Sequence, residues 1–147
     1  MIQLHQTLHE ISAKFNYKLE EIQPTGTYKM DVAIPLKDGK WRYQNVFIWI
    51  VPGRYFGKDT VYMNSRAGVY RPDLNLYGIL KEAGPCCYSS ITITSDKLGD
   101  GTPVESIIAQ SALVLETTTA AEVSNAIYDV AVAADYIEEK FFGGDVH

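Results

Sequence analysis

Leu4, Leu8, Ile11 and Phe15 recur at spacings of four, three and four, so residues 2–15 read as a helix with one apolar stripe. Asn16 stops it. Tyr17 to Ile22 reads as a short strand, and Pro24-Thr25-Gly26-Thr27 as a turn. The clearest alternation follows. Tyr28, Met30, Val32, Ile34 and Leu36 share one face, while Lys29, Asp31 and Ala33 share the other. One buried and one wet face marks an antiparallel sheet, and Pro35 puts that end at an edge or a strand terminus. Lys37-Asp38-Gly39-Lys40 predicts a hairpin turn. On the return strand, 41–51, Trp41, Tyr43, Phe47, Trp49 and Val51 share a face, with Val46, Ile48 and Ile50 opposite. The aromatic row is expected in the core. The Val46–Ile50 face is then expected to be covered by a helix, a loop or another chain.

Pro52, Gly53 and Gly57 interrupt the pattern, and a fourth strand is predicted over 60–69. Asp73 is placed to cap a helix of about 74–83, ended by Gly84-Pro85. Residues 88–95 alternate Ile91 and Ile93 with Thr92 and Thr94, a strand. A Gly/Asp loop at 99–103 leads to another strand over 105–117, whose first half is also compatible with a helix. Thr119 and Glu122 form a capping box for a last helix carried by Val123, Ile127, Val130, Ala134, Ile137 and Phe141. The predicted fold is α+β: an antiparallel sheet of about five to six strands packed against helices, in the order α-β-β-β-β-α-β-β-α. Residues 1–147 are expected to form a single domain, with 143–147 a flexible tail.

The net charge of −5 is unevenly spread. Residues 37–71 hold seven Lys and Arg against two acids, whereas 72–147 hold twelve acids against three Lys. Either the middle meets an anionic partner, or a basic sheet is answered by an acidic helix within the fold or a dimer. The second reading is favoured, because the total charge repels nucleic acid at long range. The longest strongly apolar run, Val46 to Val51, is far short of the ~20 residues of a spanning helix. With no apolar leader visible near Met1, a cytoplasmic location and no membrane association are expected.

Chemistry-bearing patterns are sparse. Adjacent Cys86-Cys87 match neither a redox nor a metal spacing, and are expected to be reduced, partly buried thiols. His5 and His9 stand at i and i+4, yet no HExxH or third ligand accompanies them. Asp96 to Gly101 lacks the alternation of a calcium loop. No phosphate loop, nucleophile elbow or acid–base carboxylate pair is present. No enzymatic activity, metal or cofactor is expected. The remaining oddity is aromatic: nine of seventeen Phe, Trp and Tyr fall within 41–77, interleaved with Arg42, Arg54, Lys58, Arg66 and Arg71.

The element order, with Phe15-Asn16-Tyr17-Lys18-Leu19 after the first helix, the hairpin Tyr28–Leu36/Trp41–Val51, Leu80-Lys81-Glu82-Ala83-Gly84 before the strand 88–95, and the long helix 120–142, resembles the YbjN family and the wider type III secretion chaperone-like fold. The loops 52–59 and 96–103 follow no pattern of that family. The resemblance implies a sheet packed on helices, often a homodimer, and a role in protein binding or regulation. It implies no active-site residues.

The expected function is therefore a non-enzymatic protein-interaction domain, chaperone-like or regulatory, homodimeric or holding a protein client. Its interaction residues are expected among Arg42, Val46, Ile48, Ile50, Arg54, Tyr55, Phe56 and Arg71, since interface cores favour aromatics and Arg. The alternative is single-stranded nucleic-acid binding through segment 41–71, where rings stack on bases and cations follow phosphates.

Overall fold

The computed structural model describes residues 1–143; the expected flexible tail, apart from Gly143, lies outside the described residues. Nine elements follow the predicted order: α1 (Leu4–Phe15), β1 (Lys18–Ile22), β2 (Thr27–Pro35), β3 (Trp41–Tyr55), β4 (Lys58–Val69), α2 (Leu76–Glu82), β5 (Ser90–Lys97), β6 (Pro103–Val114) and α3 (Ala120–Phe141). The six strands form one antiparallel sheet, ordered β1-β2-β3-β4-β6-β5. All three helices lie on one face of it.

Register decides which side chains the helices cover. The Asp38-Gly39 turn closes with Leu36 N–H donating to the Lys40 carbonyl (2.8 Å), and sets Pro35 opposite Trp41. Tyr28 then faces Ile48, and Met30 faces Val46. Directly opposed residues share a face of the sheet, so the alternating apolar set of β2 carries Val46 and Ile48 into the core. Both are fully buried, with Leu4, Leu8 and Ile11 of α1 and Val123, Ile127, Val130 and Ala134 of α3 in the same cluster. Each Leu- or Ile-sized side chain so buried contributes roughly 1.5–3 kcal/mol. A second cluster joins Ala67, Ile107, Ile79 of α2, Ile137 and Phe142.

Three local expectations are corrected. The interruption at 52–59 is no loop: β3 runs through Pro52 and Gly53 with a register shift, and turns at Phe56-Gly57. The cap of α2 is Asn75, whose Oδ1 accepts from Gly78 N–H at 2.9 Å, while Asp73 instead meets Arg71. At α3, Thr119 Oγ1 accepts from Glu122 N–H (3.2 Å), but the Glu122 carboxylate accepts from the Tyr88 hydroxyl.

The uneven charge is answered within the chain. Arg42 of β3 makes a fork to Asp135 of α3 (2.9 and 2.6 Å), with Glu139 at 3.3 Å. Lys58 meets Glu116 at 2.6 Å, and Arg66 pairs with Asp96.

Candidate interaction surface

The aromatic row of β3 points away from the helices, the reverse of the expected burial. Trp41 is 56% and Tyr43 66% exposed, while Phe47 and Trp49 are half-buried. With even-numbered β3 residues fixed inward by the hairpin register, the odd-numbered ones must face out.

At the end of β2 and β3 this face meets the sheet edge. β1 pairs with β2 only as far as Asp31, which leaves Ala33 and Pro35 with no strand on that side. The termination of α1 fills the corner. Asn16 adopts the left-handed conformation (φ 57°), and Tyr17 N–H returns to the Ser12 carbonyl at 3.1 Å. Asparagine tolerates that conformation. The reversal stacks the rings of Phe15 and Tyr17, with centroids 5.4 Å apart and planes 18° apart. Tyr128 of α3, off the buried stripe of its helix, closes the group. The result is a groove of about 580 Å³ with Phe15, Tyr17, Trp41, Tyr43 and Tyr128 as its rings. Asn16, Ser124 and Asn125 supply polar groups, and no charged residue lines it. Burial, and after it the neighbouring Tyr128 phenol, hold the Tyr17 hydroxyl above its ordinary pKa of 10.0.

The eight residues expected at an interface do not come together. Val46 and Ile48 are core, covered by the chain's own helices, so they offer no surface. Ile50, on the same side of β3, is 37% exposed near the N-terminus of α1, in a shallow pocket with Ile2, His5 and Tyr28. Arg42 is engaged by α3. Arg54 lies over the Tyr62 ring, 4.6 Å from its centroid. Tyr55 and Phe56 form the exposed β3–β4 hairpin tip, their rings edge to face. Arg71 sits in the loop after β4, at 3.3 Å from Asp73 and 5.8 Å from the Phe142 ring. Phe15, Tyr17, Tyr43, Trp41 and Tyr128 were not among those eight.

The patterns weighed for chemistry occupy ordinary positions. His5 Nδ1 lies 3.0 Å from the Tyr28 hydroxyl, and the His5 and His9 rings are 4.3 Å apart. Among the described residues no group of three or more His, Cys, Asp or Glu is placed to hold a metal. Cys86 and Cys87 are unbonded. Asp100 caps its turn, accepting from Thr102 N–H at 2.9 Å. Among the described residues no helix is long and apolar enough to cross a membrane.

These features define an α+β domain with a one-sided helical layer and an open sheet face. No family model matches the chain, and no curated protein matches it in sequence. Among solved structures it is similar to YbjN of E. coli, described as a candidate transcription regulator. The superposition has a TM-score of 0.50 and 14% identity, and covers 91% of this chain and 88% of YbjN. At that identity the likeness establishes a shared fold, and the expectation of a YbjN-like α+β architecture holds at the level of fold.

Proposed function

We propose that the chain is a non-enzymatic protein-interaction domain with a regulatory or chaperone-like role, working through the groove between α1, β2, β3 and α3. The single observation that carries this reading is the convergence of Phe15, Trp41, Tyr43 and Tyr128, each 41–66% exposed, from three separate elements. A contiguous exposed apolar patch on a folded domain marks an interaction site. Rings with a few amides and no charge match the centre of protein interfaces. The description of YbjN as a candidate regulator supports a role of this kind. The partner is a protein, either a client or a second copy of the chain, and the setting is cytoplasmic.

The outward-facing aromatics also suit single-stranded nucleic acid. That reading needs free cations along the rings, and four of the seven basic residues in 37–71 (Arg42, Lys58, Arg66 and Arg71) are already paired with carboxylates. Protein binding is the better supported of the two.

The test is affinity capture with the wild-type chain and with Trp41→Ser/Tyr43→Ser, with and without nuclease, alongside light scattering. Both side chains are more than half exposed, so the variant keeps its fold by circular dichroism. A protein partner, or self-association, that survives nuclease and disappears in the variant supports the reading. Partners released by nuclease, or retained equally by the variant, overturn it.

A further inference from the structure

Beyond the edge groove, the middle of the open sheet face carries a second feature, which does not depend on the protein-binding reading. Three residues there are buried although no helix lies over them. Tyr62 is 7%, Ile108 3% and Ser106 0% exposed, and none belongs to either core cluster. Side chains of the face itself cover them: Arg54 and Trp49 lie against the Tyr62 ring, and an ion pair bridges over β6. Arg66 of β4 reaches across β6 to Asp96 of β5, and Ser106 Oγ donates to the same carboxylate at 3.0 Å. The resulting trough holds about 720 Å³, within the size range of small-molecule sites. Phe47, Tyr62 and Ile108 line it, Trp49 stands beside Tyr62 edge to face (4.8 Å), and Thr94–Lys97 line the β5 side.

Its polar groups are unevenly used. Arg66 and Asp96 neutralise each other. The Asn45 amide makes no hydrogen bond among the described residues, though it lines the trough. Asn64 uses only Nδ2, in a long contact of 3.4 Å to the Tyr62 hydroxyl, which leaves its Oδ1 open. The Tyr62 hydroxyl itself donates to Gln110 Oε1 at 2.7 Å. Two amides with spare donors and acceptors therefore stand next to Phe47 and Trp49. Aromatic faces favour a flat ring, and a side-chain amide presents a donor and an acceptor side by side, matching a ring edge that offers the complementary pair.

We propose that this trough is a binding site for a planar, uncharged heteroaromatic ring of the nucleobase type, stacked against Trp49 and Phe47 and hydrogen-bonded along its edge by Asn45 and Asn64. The closed Arg66–Asp96 pair adds no net charge to the lining, on which Lys97 is the one other charged residue among the described residues. The site is separate from the edge groove and would let a small molecule and a protein partner occupy the same sheet face.

The experiment titrates adenosine into the Trp41→Phe chain, where Trp49 is the single remaining tryptophan, and follows its fluorescence. Naphthalene, flat but without edge donors or acceptors, is the comparison. Saturable quenching by adenosine is expected, weakened about fivefold by Asn64→Ala, a loss on the scale of one hydrogen bond. Naphthalene binding, if any, does not respond to Asn64→Ala. Circular dichroism of each variant confirms the fold, and Asn45→Ala repeats the test should Asn64→Ala unfold. Absence of saturation up to millimolar adenosine overturns the proposal. So does adenosine binding that neither Asn variant weakens, which would make the trough an unspecific apolar crevice.

Discussion

Arg42 shows how one residue's setting changes its meaning. In sequence it is a cation between two aromatics, suited to an exposed interface. In the fold its guanidinium makes two parallel bonds to Asp135, whose side chain is 8% exposed, with Glu139 beside it. It locks the start of β3 to the last turns of α3. Removing one partner of a buried pair leaves the other charge uncompensated and is more damaging than the pair is worth. Arg42→Ala is expected to destabilise the domain by about 2–3 kcal/mol, somewhat below the range for fully buried pairs because the Arg side chain is 26% exposed. Urea unfolding checks the value. Adding Asp135→Ala should recover part of the loss, as coupled neighbours do in a double-mutant cycle. Full additivity would show that the fork carries no coupling.

At the scale of elements, the β3–β4 hairpin holds a locally unfavourable residue. Phe56 adopts φ 49° and is followed by Gly57 at φ 84°, while the residue as a whole is 91% exposed. Two consecutive positive-φ residues make the tight turn that suits the twist of a hairpin. Glycine and asparagine take that conformation readily, whereas a side chain like phenylalanine loses roughly 1–2 kcal/mol there. Phe56→Asn is expected to stabilise the domain by about 0.5–1 kcal/mol, after the lost edge-to-face contact with Tyr55, and to raise Tm by a few degrees. Thermal unfolding reads it; a lower Tm would mean that the ring is held by contacts of its own. The same hairpin marks where the sequence was hard to read. Pro52 and Gly53 look like the end of a strand, and the continuation of β3 to Tyr55 depends on pairing with β4, which is tertiary. The element order and the buried stripe of α3 from Val123 to Ile137 were legible because periodicity reports them directly. The orientation of β3 was legible in principle as well. With Tyr28, Met30, Val32 and Ile34 inward, the short Asp38-Gly39 turn places Val46 and Ile48 inward too. Ring size suggests the opposite, since Trp41, Tyr43, Phe47 and Trp49 resemble core residues when each strand is read alone. The edge groove was not legible, because Phe15, Trp41 and Tyr128 come from three elements and only the three-dimensional packing unites them.

Over the whole molecule, carboxylates act as cross-links between layers and strands, and this gives a pH dependence with a definite sign. Asp96 joins β5 to β4. Its burial raises its pKa, but hydrogen bonds from Arg66, Lys97 N–H and Ser106 outweigh that and hold it below the ordinary 3.8. Glu82 joins α2 to α3, where hydrogen bonds from Lys140 and Tyr136 hold it below the ordinary 4.5. A carboxyl whose pKa is lower folded than unfolded binds fewer protons in the native state. Its contribution is fully present above the unfolded value and is lost as pH falls through the folded one. Stability is therefore expected to decline from about pH 4 downward as these two groups protonate. Asp96→Asn should be less stable than wild type at pH 7 and should show a shallower decline in acid, because it has lost that proton linkage. Glu82→Gln should act in the same direction but fade in high salt, since the pair lies at the surface, with Lys140 exposed and Glu82 half-buried, and its attraction is screened. Thermal unfolding followed by circular dichroism between pH 2.5 and 7, at low and at high ionic strength, separates the two. A decline in acid equally steep in wild type and Asp96→Asn would show that the Arg66–Asp96 bridge, set across a β5 already paired to β6 from Ser90 to Lys97, adds no proton-linked stability of its own.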